Sequence, residues 1–362
     1  MRSDVQSTVV PPPFFQRRQA FERLVPVFRA AAAAQPWPGH ACGLTQAEYD
    51  AFDAVVRGAH VRNGWYTEAN VRHALGALAD MLVPFALAQW TTAYPALVDA
   101  RTPRTVGIIM AANIPLVGFH DLLCVLLSGH VARVKPGSDD AGLIPAVVEL
   151  LHLLAPDLAA CVVVTSGKLG GVDAVIATGS NNTARYFEHY FGHLPRIVRK
   201  GRTSVALLDG TETEAELAAL GEDVFRYFGL GCRNVSKVFI PQDFDLDRLF
   251  GAFFPWKDII NHGKYANNYD YNKAIWLMER VPIVENGFLL LKEDAAIASP
   301  VAALYYERIA DRAEAEKAIS KNAGAIQCVV GHGHVPFGRS QCPGPAEYAD
   351  GVDTLAFLLE LP

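Results

Sequence analysis

From residue 105 onward the sequence changes character about every ten residues, and that rhythm narrows the fold more than any other feature. Val106-Gly107-Ile108-Ile109-Met110 is continuously apolar, as expected of a short strand buried on both faces. Helical spacing follows over residues 116–128, then a strand at 131–135 and a helix at 141–154. Strands at 161–165 and 174–178, a helix over 183–192 and a strand at 196–199 complete the series. Such alternation predicts an α/β fold with a doubly wound parallel sheet. Sheets of this kind bind ligands at the carboxyl ends of their strands, which selects the loops at 111–115, 135–138 and 178–182.

A second alternating series begins at Thr203. A strand is expected at 204–208 and a helix over 213–228, followed by the tight turn Gly229-Leu230-Gly231-Cys232 and a strand at 237–240. Further strands are expected at 283–291, 302–306 and 326–330. Residues before 105 read as irregular and helical, with helical spacing at 47–57 and again at 71–89. The expected division is therefore a helical N-terminal region with a nucleotide-binding domain (1–200), a catalytic domain around the thiol (201–335), and a C-terminal tail (336–362) packing back on the core.

Hydrophobic residues make up 51% of the 362 and charged ones 19%, which is enough apolar surface for a large core and excludes a disordered chain. A net charge of −6 gives nothing to attract a polyanion, so no nucleic-acid partner is expected. The six cysteines are scattered, with no C-x-x-C pair, as in a reducing compartment. Met1-Arg2-Ser3-Asp4-Val5 has no apolar stretch behind its basic residue, and the apolar runs are shorter than the ~18 residues of a membrane span. A cytoplasmic protein with no membrane span is expected.

Four segments offer chemistry. Cys232 follows the Gly229–Gly231 turn and precedes a strand, so an exposed sheet edge is expected for it, with Arg233 beside a potential thiolate; a buried structural cysteine fits the spacing as well. Thr178-Gly179-Ser180-Asn181-Asn182-Thr183 runs from a strand into a helix start, where free N–H groups suit a phosphate and Ser180 equally suits a plain cap. Asn113, ahead of Pro115, can aim its amide at a carbonyl oxygen or satisfy the turn. Lys135, ending a strand before Pro136-Gly137-Ser138, can bind a ribose or phosphate or remain solvated. His332-Gly333-His334 finds no third ligand at convincing spacing, so no metal is expected.

Taken in order, these segments resemble the aldehyde dehydrogenase superfamily and, within it, the LuxC-like fatty-acyl-CoA reductases. The resemblance runs through 106–138 (strand, Asn-x-Pro, helix, strand, Lys-Pro), 176–182 and 228–240. Phe337-Gly338-Arg339 and Ala349-Asp350-Gly351-Val352-Asp353 are similar to the tail of the reductase branch. It implies an aldehyde-dehydrogenase-like fold with Cys232 as nucleophile, and an oxyanion hole of Asn113 and the Cys232 N–H. Lys135 and Ser138 would then lie at the adenosine side of a nicotinamide cofactor, and Gly179 and Ser180 at its pyrophosphate.

Two departures refine that expectation. The stretch matching the Glu-Leu-Gly-Gly segment, whose Glu activates hydrolytic water in aldehyde-oxidising members, reads Arg199-Lys200-Gly201-Arg202 and has no carboxylate. Where NAD-preferring members often carry a Glu after Lys-Pro, this chain has Gly137-Ser138, so NADPH is expected, with NADH possible. The implied activity is reduction of a long-chain acyl thioester, on coenzyme A or an acyl carrier protein, to an aldehyde through a Cys232 acyl-enzyme. Arg199, Lys200 and Arg202 are candidate phosphate ligands or a solvated strand edge. A homo-oligomer or an acyl-transfer partner enzyme is compatible. The alternatives are an oxidative or CoA-acylating aldehyde dehydrogenase and a non-catalytic nucleotide-binding scaffold of a reductase complex.

Overall fold

The computed structural model describes residues 9–362; the N-terminal reading of residues 1–5 lies outside them. The chain divides into two compact units, one reaching to Lys200 and including Gly344–Pro362, the other Gly201–Pro343.

The first unit begins with helices α1 (Phe14–Glu22), α2 (Leu24–Ala32), α3 (Gln46–Arg62), α4 (Glu68–Met81) and α5 (Pro84–Thr91). Thr45 and Glu48 form a capping box on α3. The single helical stretch expected at 71–89 is two helices, because Pro84 cannot donate an N–H and instead starts α5. Strands β1 (Thr105–Ile109), β2 (Val131–Lys135), β3 (Val162–Val164), β4 (Ala174–Thr178) and β5 (Arg196–Arg199) form a wholly parallel sheet ordered β3-β2-β1-β4-β5. Helices α6 (Phe119–Leu127), α7 (Leu143–Leu154), α8 (Pro156–Ala159) and α9 (Asn181–Tyr190) connect them. Every residue of α6 except His120 is buried, which is why its sequence reads as apolar all round. No single helix among the described residues is long and apolar enough to cross a membrane.

The second unit holds β6 (Thr203–Leu207), α10 (Glu214–Phe225), β7 (Val235–Pro241), α11 (Leu246–Phe253), α12 (Gly263–Met278), β8 (Val284–Glu285), β9 (Leu290–Glu293), β10 (Ala303–Ile309), α13 (Arg312–Lys321) and β11 (Ile326–Gly331). Its sheet is ordered β11-β6-β7-β10-β9-β8, parallel except for the β8–β9 pair. The one strand expected at 283–291 is this hairpin. Asn286-Gly287 makes the turn, with Gly287 at φ +88° and Asn286 Oδ1 accepting from the N–H groups of Phe288 and Leu289.

Helix α14 (Thr354–Leu359) returns to the first unit. His130 Nε2 lies 2.9 Å from Leu358 O, and Tyr94 donates to Asp353 at 2.7 Å. Trp90 donates to Tyr348 at 2.9 Å. Tyr348, Asp353 and Leu358 thus fasten the tail to the first unit, and His120 of α6 adds a contact to Pro345 O at 2.8 Å.

Candidate functional site

In the first unit, the expected loops converge because the strands are in register. Ile109 stands opposite both Lys135 and Ala177, so 110–113, 135–138 and 178–180 all leave the carboxyl ends of neighbouring strands. The Met110 N–H donates to Lys135 O at 3.0 Å. A side chain at Gly137 would place its Cβ 2.8 Å from Ala112 Cβ and 3.1 Å from Ala112 N and Met110 O, so the turn after Lys135 lies flush on the end of β1. Asn113, Ser138 and Ser180 are exposed, and Lys135 and Gly179 half-buried. Tyr66, fully buried, donates to Ile114 O at 3.0 Å and holds the Asn113 loop; burial pushes its phenol up. Ser180 caps α9, its Oγ accepting from Thr183 N at 3.2 Å. The result is a sheet end with a lysine, a flush glycine turn and a helix start, a donor set that fits a dinucleotide.

Gly137→Ala is expected to destabilise the fold by about 1–3 kcal/mol through overpacking on a backbone that cannot yield. Chemical denaturation checks it; a variant as stable as the parent would mean that this turn is free to move.

Behind that turn, Asp140 is buried and caps the start of α7, accepting from Ile144 N at 3.0 Å. Burial pushes its carboxyl up to about 6, against the hydrogen bonds from Ile144, Gly142 and Leu143 that lower it. The folded state therefore holds this proton more tightly than the unfolded chain. Stability falls as pH rises from about 4 to about 6, by an amount on the order of 2–3 kcal/mol. Asp140→Asn keeps the cap acceptor without the charge. It is expected to raise the melting temperature above pH 6.5 and to have little effect near pH 4; a pH-independent difference would refute this.

In the second unit, Cys232 is not at an exposed sheet edge. It is half-buried three residues before β7, an internal strand flanked by β6 and β10. The turn that presents it starts earlier than the glycines suggest: Tyr227 (φ 55°), Phe228 (φ 59°) and Gly229 (φ 77°) are all left-handed. Two non-glycine residues in that region cost about 1–3 kcal/mol each, and the surroundings impose them. Phe228 packs on His262, ring centroids 4.3 Å apart, and on Tyr265 at 6.2 Å. Asn234, fully buried, does the rest. Its Nδ2 donates to the last carbonyls of α10 (Asp223 O 3.0 Å, Val224 O 3.4 Å) and to Arg226 O at 2.8 Å, while its Oδ1 accepts from Gly231 N at 2.7 Å. On the other side of the thiol, Ser204 of β6 donates to Cys232 O at 3.0 Å.

The tail motif is tied to the same place. The buried Asp223 carboxylate accepts from Gly338 N (2.6 Å) and Ser340 N (2.9 Å). Burial pushes its carboxyl up, opposed by those bonds.

The basic stretch matched to Glu-Leu-Gly-Gly divides, with Arg199 turned into the core and Lys200 left on the exposed surface. Arg199 is buried, with Nη2 2.7 Å from Asp121 Oδ1 and 2.8 Å from Thr354 Oγ1, and Nη1 2.7 Å from Ala349 O. Lys200 pairs with Glu188 on the surface at 3.1 Å, and Arg202 donates to Ala323 O and Ile326 O.

Around His332 the structure supplies what its sequence neighbours do not. Ligand atoms of Asp209, Glu212 and His332 lie within 4.8 Å of one another. His332 Nδ1 is 2.9 Å from Asp209 and Nε2 3.1 Å from Glu216. Glu212 is committed to the Asp209 and Gly210 N–H groups. The Asp209 and Glu216 carboxylates raise the imidazole pKa above its usual value, and each ring nitrogen already has one of them as partner. Of the aromatic residues between 253 and 271, Phe253 and Tyr265 are core, and Phe254 and Tyr271 are exposed.

The architecture has solved counterparts. The structure of aldehyde dehydrogenase 21 from Physcomitrella patens, in complex with succinate, is similar with a TM-score of 0.62 at 13% identity, covering 90% of this chain and 74% of that one. The chain has the aldehyde dehydrogenase fold. A benzaldehyde dehydrogenase from Corynebacterium glutamicum, described as NAD-dependent, gives 0.57 at 14% identity (86% and 76% covered). An aldehyde dehydrogenase of Mycobacterium tuberculosis complexed with NAD+ gives 0.56 at 16% (83% and 70%). No protein-family model and no curated protein matches the sequence. In aldehyde dehydrogenase terms, Lys135, Ser138, Gly179, Ser180 and Asn113 fall in the first unit and Cys232 in the second. Sequence reasoning missed Ser204, Asn234 and Asp223, which shape the thiol turn. A polar residue two positions after a candidate nucleophile was the available signal for Asn234.

Proposed function

We propose that this chain is an NAD(P)H-dependent reductase that converts an acyl thioester to an aldehyde through an acyl-enzyme on Cys232, close in kind to the LuxC-like reductases. The observation that carries the reading is Arg199. It stands at the position matched to the water-activating glutamate of aldehyde-oxidising enzymes, and its guanidinium is buried against Asp121. A guanidinium at that place cannot serve as a general base, so a thioester on Cys232 persists long enough to be reduced. The fold and the nicotinamide dependence of solved relatives support the cofactor.

In this reading the Cys232 thiolate attacks the acyl carbonyl and a new C–S bond forms. The oxyanion is stabilised by the Asn113 amide and the Cys232 N–H, donors of a kind that contribute about 3–4 kcal/mol each. The carrier's C–S bond then breaks and its sulfur leaves as a thiolate; one thiolate replaces another, so the exchange is nearly balanced. Lys135, Ser138, Gly179 and Ser180 would hold a reduced nicotinamide, whose chemistry there would be supply of a hydride to the acyl-enzyme. The thiohemiacetal on Cys232 collapses to aldehyde and thiolate. Gly137-Ser138 places no carboxylate where it would repel a 2′-phosphate, which favours NADPH, with NADH also accepted.

Intact-protein mass after incubation with a series of acyl-CoAs, without cofactor, is the test. One acyl group per chain, mapped to the Cys232 peptide and discharged to aldehyde by NADPH, is expected, with long chains reacting best. Discharge by water alone points instead to aldehyde oxidation, and no adduct from any coenzyme A or carrier-protein thioester sinks the proposal.

A further inference from the structure

We propose that Ser204 is a positioning residue for Cys232, acting through the carbonyl of the cysteine itself; the proposal rests on Cys232 being the nucleophile. Both strand ladders beside Ser204 are interrupted at the same point. On one side Ser204 pairs with Val235 but Val205 with Lys237, so Ser236 is an extra residue in β7. On the other, Thr203 pairs with Ile326 but Val205 with Val329, so Gln327 and Cys328 together face Ser204. Bulges of this kind re-aim side chains and recur next to active sites.

The Ser204 hydroxyl, fully buried, fills the gap that these irregularities open. It accepts from Cys328 N at 3.2 Å, lies 3.1 Å from Cys328 Sγ, and donates to Cys232 O at 3.0 Å. Its own backbone N–H is already used in the ladder, donating to Asn234 O at 3.0 Å. The hydroxyl therefore does two things: it takes up the Cys328 N–H of β11 at the bulge, and it reaches the Cys232 carbonyl. It connects a rigid internal strand to the peptide plane that follows the thiol.

The two sides of Cys232 are held differently. Asn234 fixes the Gly231 N–H but also satisfies the end of α10, so its loss disturbs the helix as well as the turn. Ser204 fixes the Cys232 carbonyl. Without it the Cys232 carbonyl loses its hydrogen bond to an internal strand, and the turn that carries Sγ is held less tightly. Misplacement of a reacting atom by about 1 Å can cost on the order of 100-fold in rate.

The test is alkylation of Cys232 by iodoacetamide in the full chain, measured by peptide mass from pH 6 to 10, with kcat and KM determined for the same variants. Ser204→Ala is expected to slow Cys232 alkylation by about fivefold to tenfold at pH 8 and to shift its pH profile. It should lower kcat while leaving the KM for NADPH unchanged. Ser204→Thr, which keeps the donor, is expected to restore both to within about twofold of the parent. If the alanine variant does not fold, Ser204→Cys, filling the space with a weaker donor, should give the same slowing. An alanine variant with the parent's rate at every pH overturns the proposal and leaves the nucleophile reading intact. A parent Cys232 that reacts no faster than the buried Cys42 overturns both.

Discussion

Cys232→Ala is expected to abolish the acyl-enzyme and to lower thioester reduction by roughly 10⁴-fold or more, while the protein melts within a few degrees of the parent. The two halves of this result come from different atoms. The chemistry depends on Sγ, whereas the tethers that hold the turn end on backbone groups: Ser204 on the Cys232 carbonyl and Asn234 on the Gly231 N–H. An alanine keeps every one of these bonds and removes only a half-buried sulfur. Consumption of NADPH at saturating acyl-CoA measures the first half and circular dichroism the second. Activity within tenfold of the parent would remove Cys232 from the reaction. A large loss of stability with proportionate loss of activity would make it a packing residue.

How much of this was legible in the sequence depends on how far apart the partners are. The central parallel strands β1 and β4 are readable because each is buried on both faces, so its own residues carry the whole signal, whereas β2 and β5 show only alternate burial. The loops at their carboxyl ends follow from that order alone. The β8–β9 hairpin was readable too, since Asn286-Gly287 is a strong turn signal, but the flanking apolar residues mask it as one long strand. The thiol turn was half legible. Gly229 and Gly231 mark a turn, yet nothing local says that Tyr227 and Phe228 are left-handed, because tertiary packing on His262 and Tyr265 forces them there. Ser204 lies 28 positions from the carbonyl it holds, and strand pairing brings it there. The Asp209–Glu216–His332 group spans more than 100 positions, beyond the reach of a motif built on local spacing.

Arg199 is the sharpest instance of that limit, and its replacement should have the largest effect on stability. Beside Lys200 and Arg202 it reads as one more surface cation. Its partner Asp121 is 78 positions earlier, the one acidic residue in the otherwise apolar α6. Burial works against the charge on Arg199, and the Asp121 carboxylate outweighs it, so the guanidinium pKa is raised. Arg199→Ala leaves Asp121 buried without its cation, a change that costs about 3–5 kcal/mol. It also releases Thr354 and Ala349, two anchors of the C-terminal segment. The expected drop in melting temperature is on the order of 10 °C, with faster hydrogen exchange across residues 349–359. Lys200→Ala, one position along and paired only at the surface, should change stability by less than about 1 kcal/mol. The double variant Asp121→Leu/Arg199→Leu separates the causes. With no ion left unpaired, most of the lost stability should return, while exchange in the C-terminal segment stays fast because its anchors are still missing. Equal stability of Arg199→Ala and Lys200→Ala would mean that the buried pair contributes nothing and that Asp121 finds water instead.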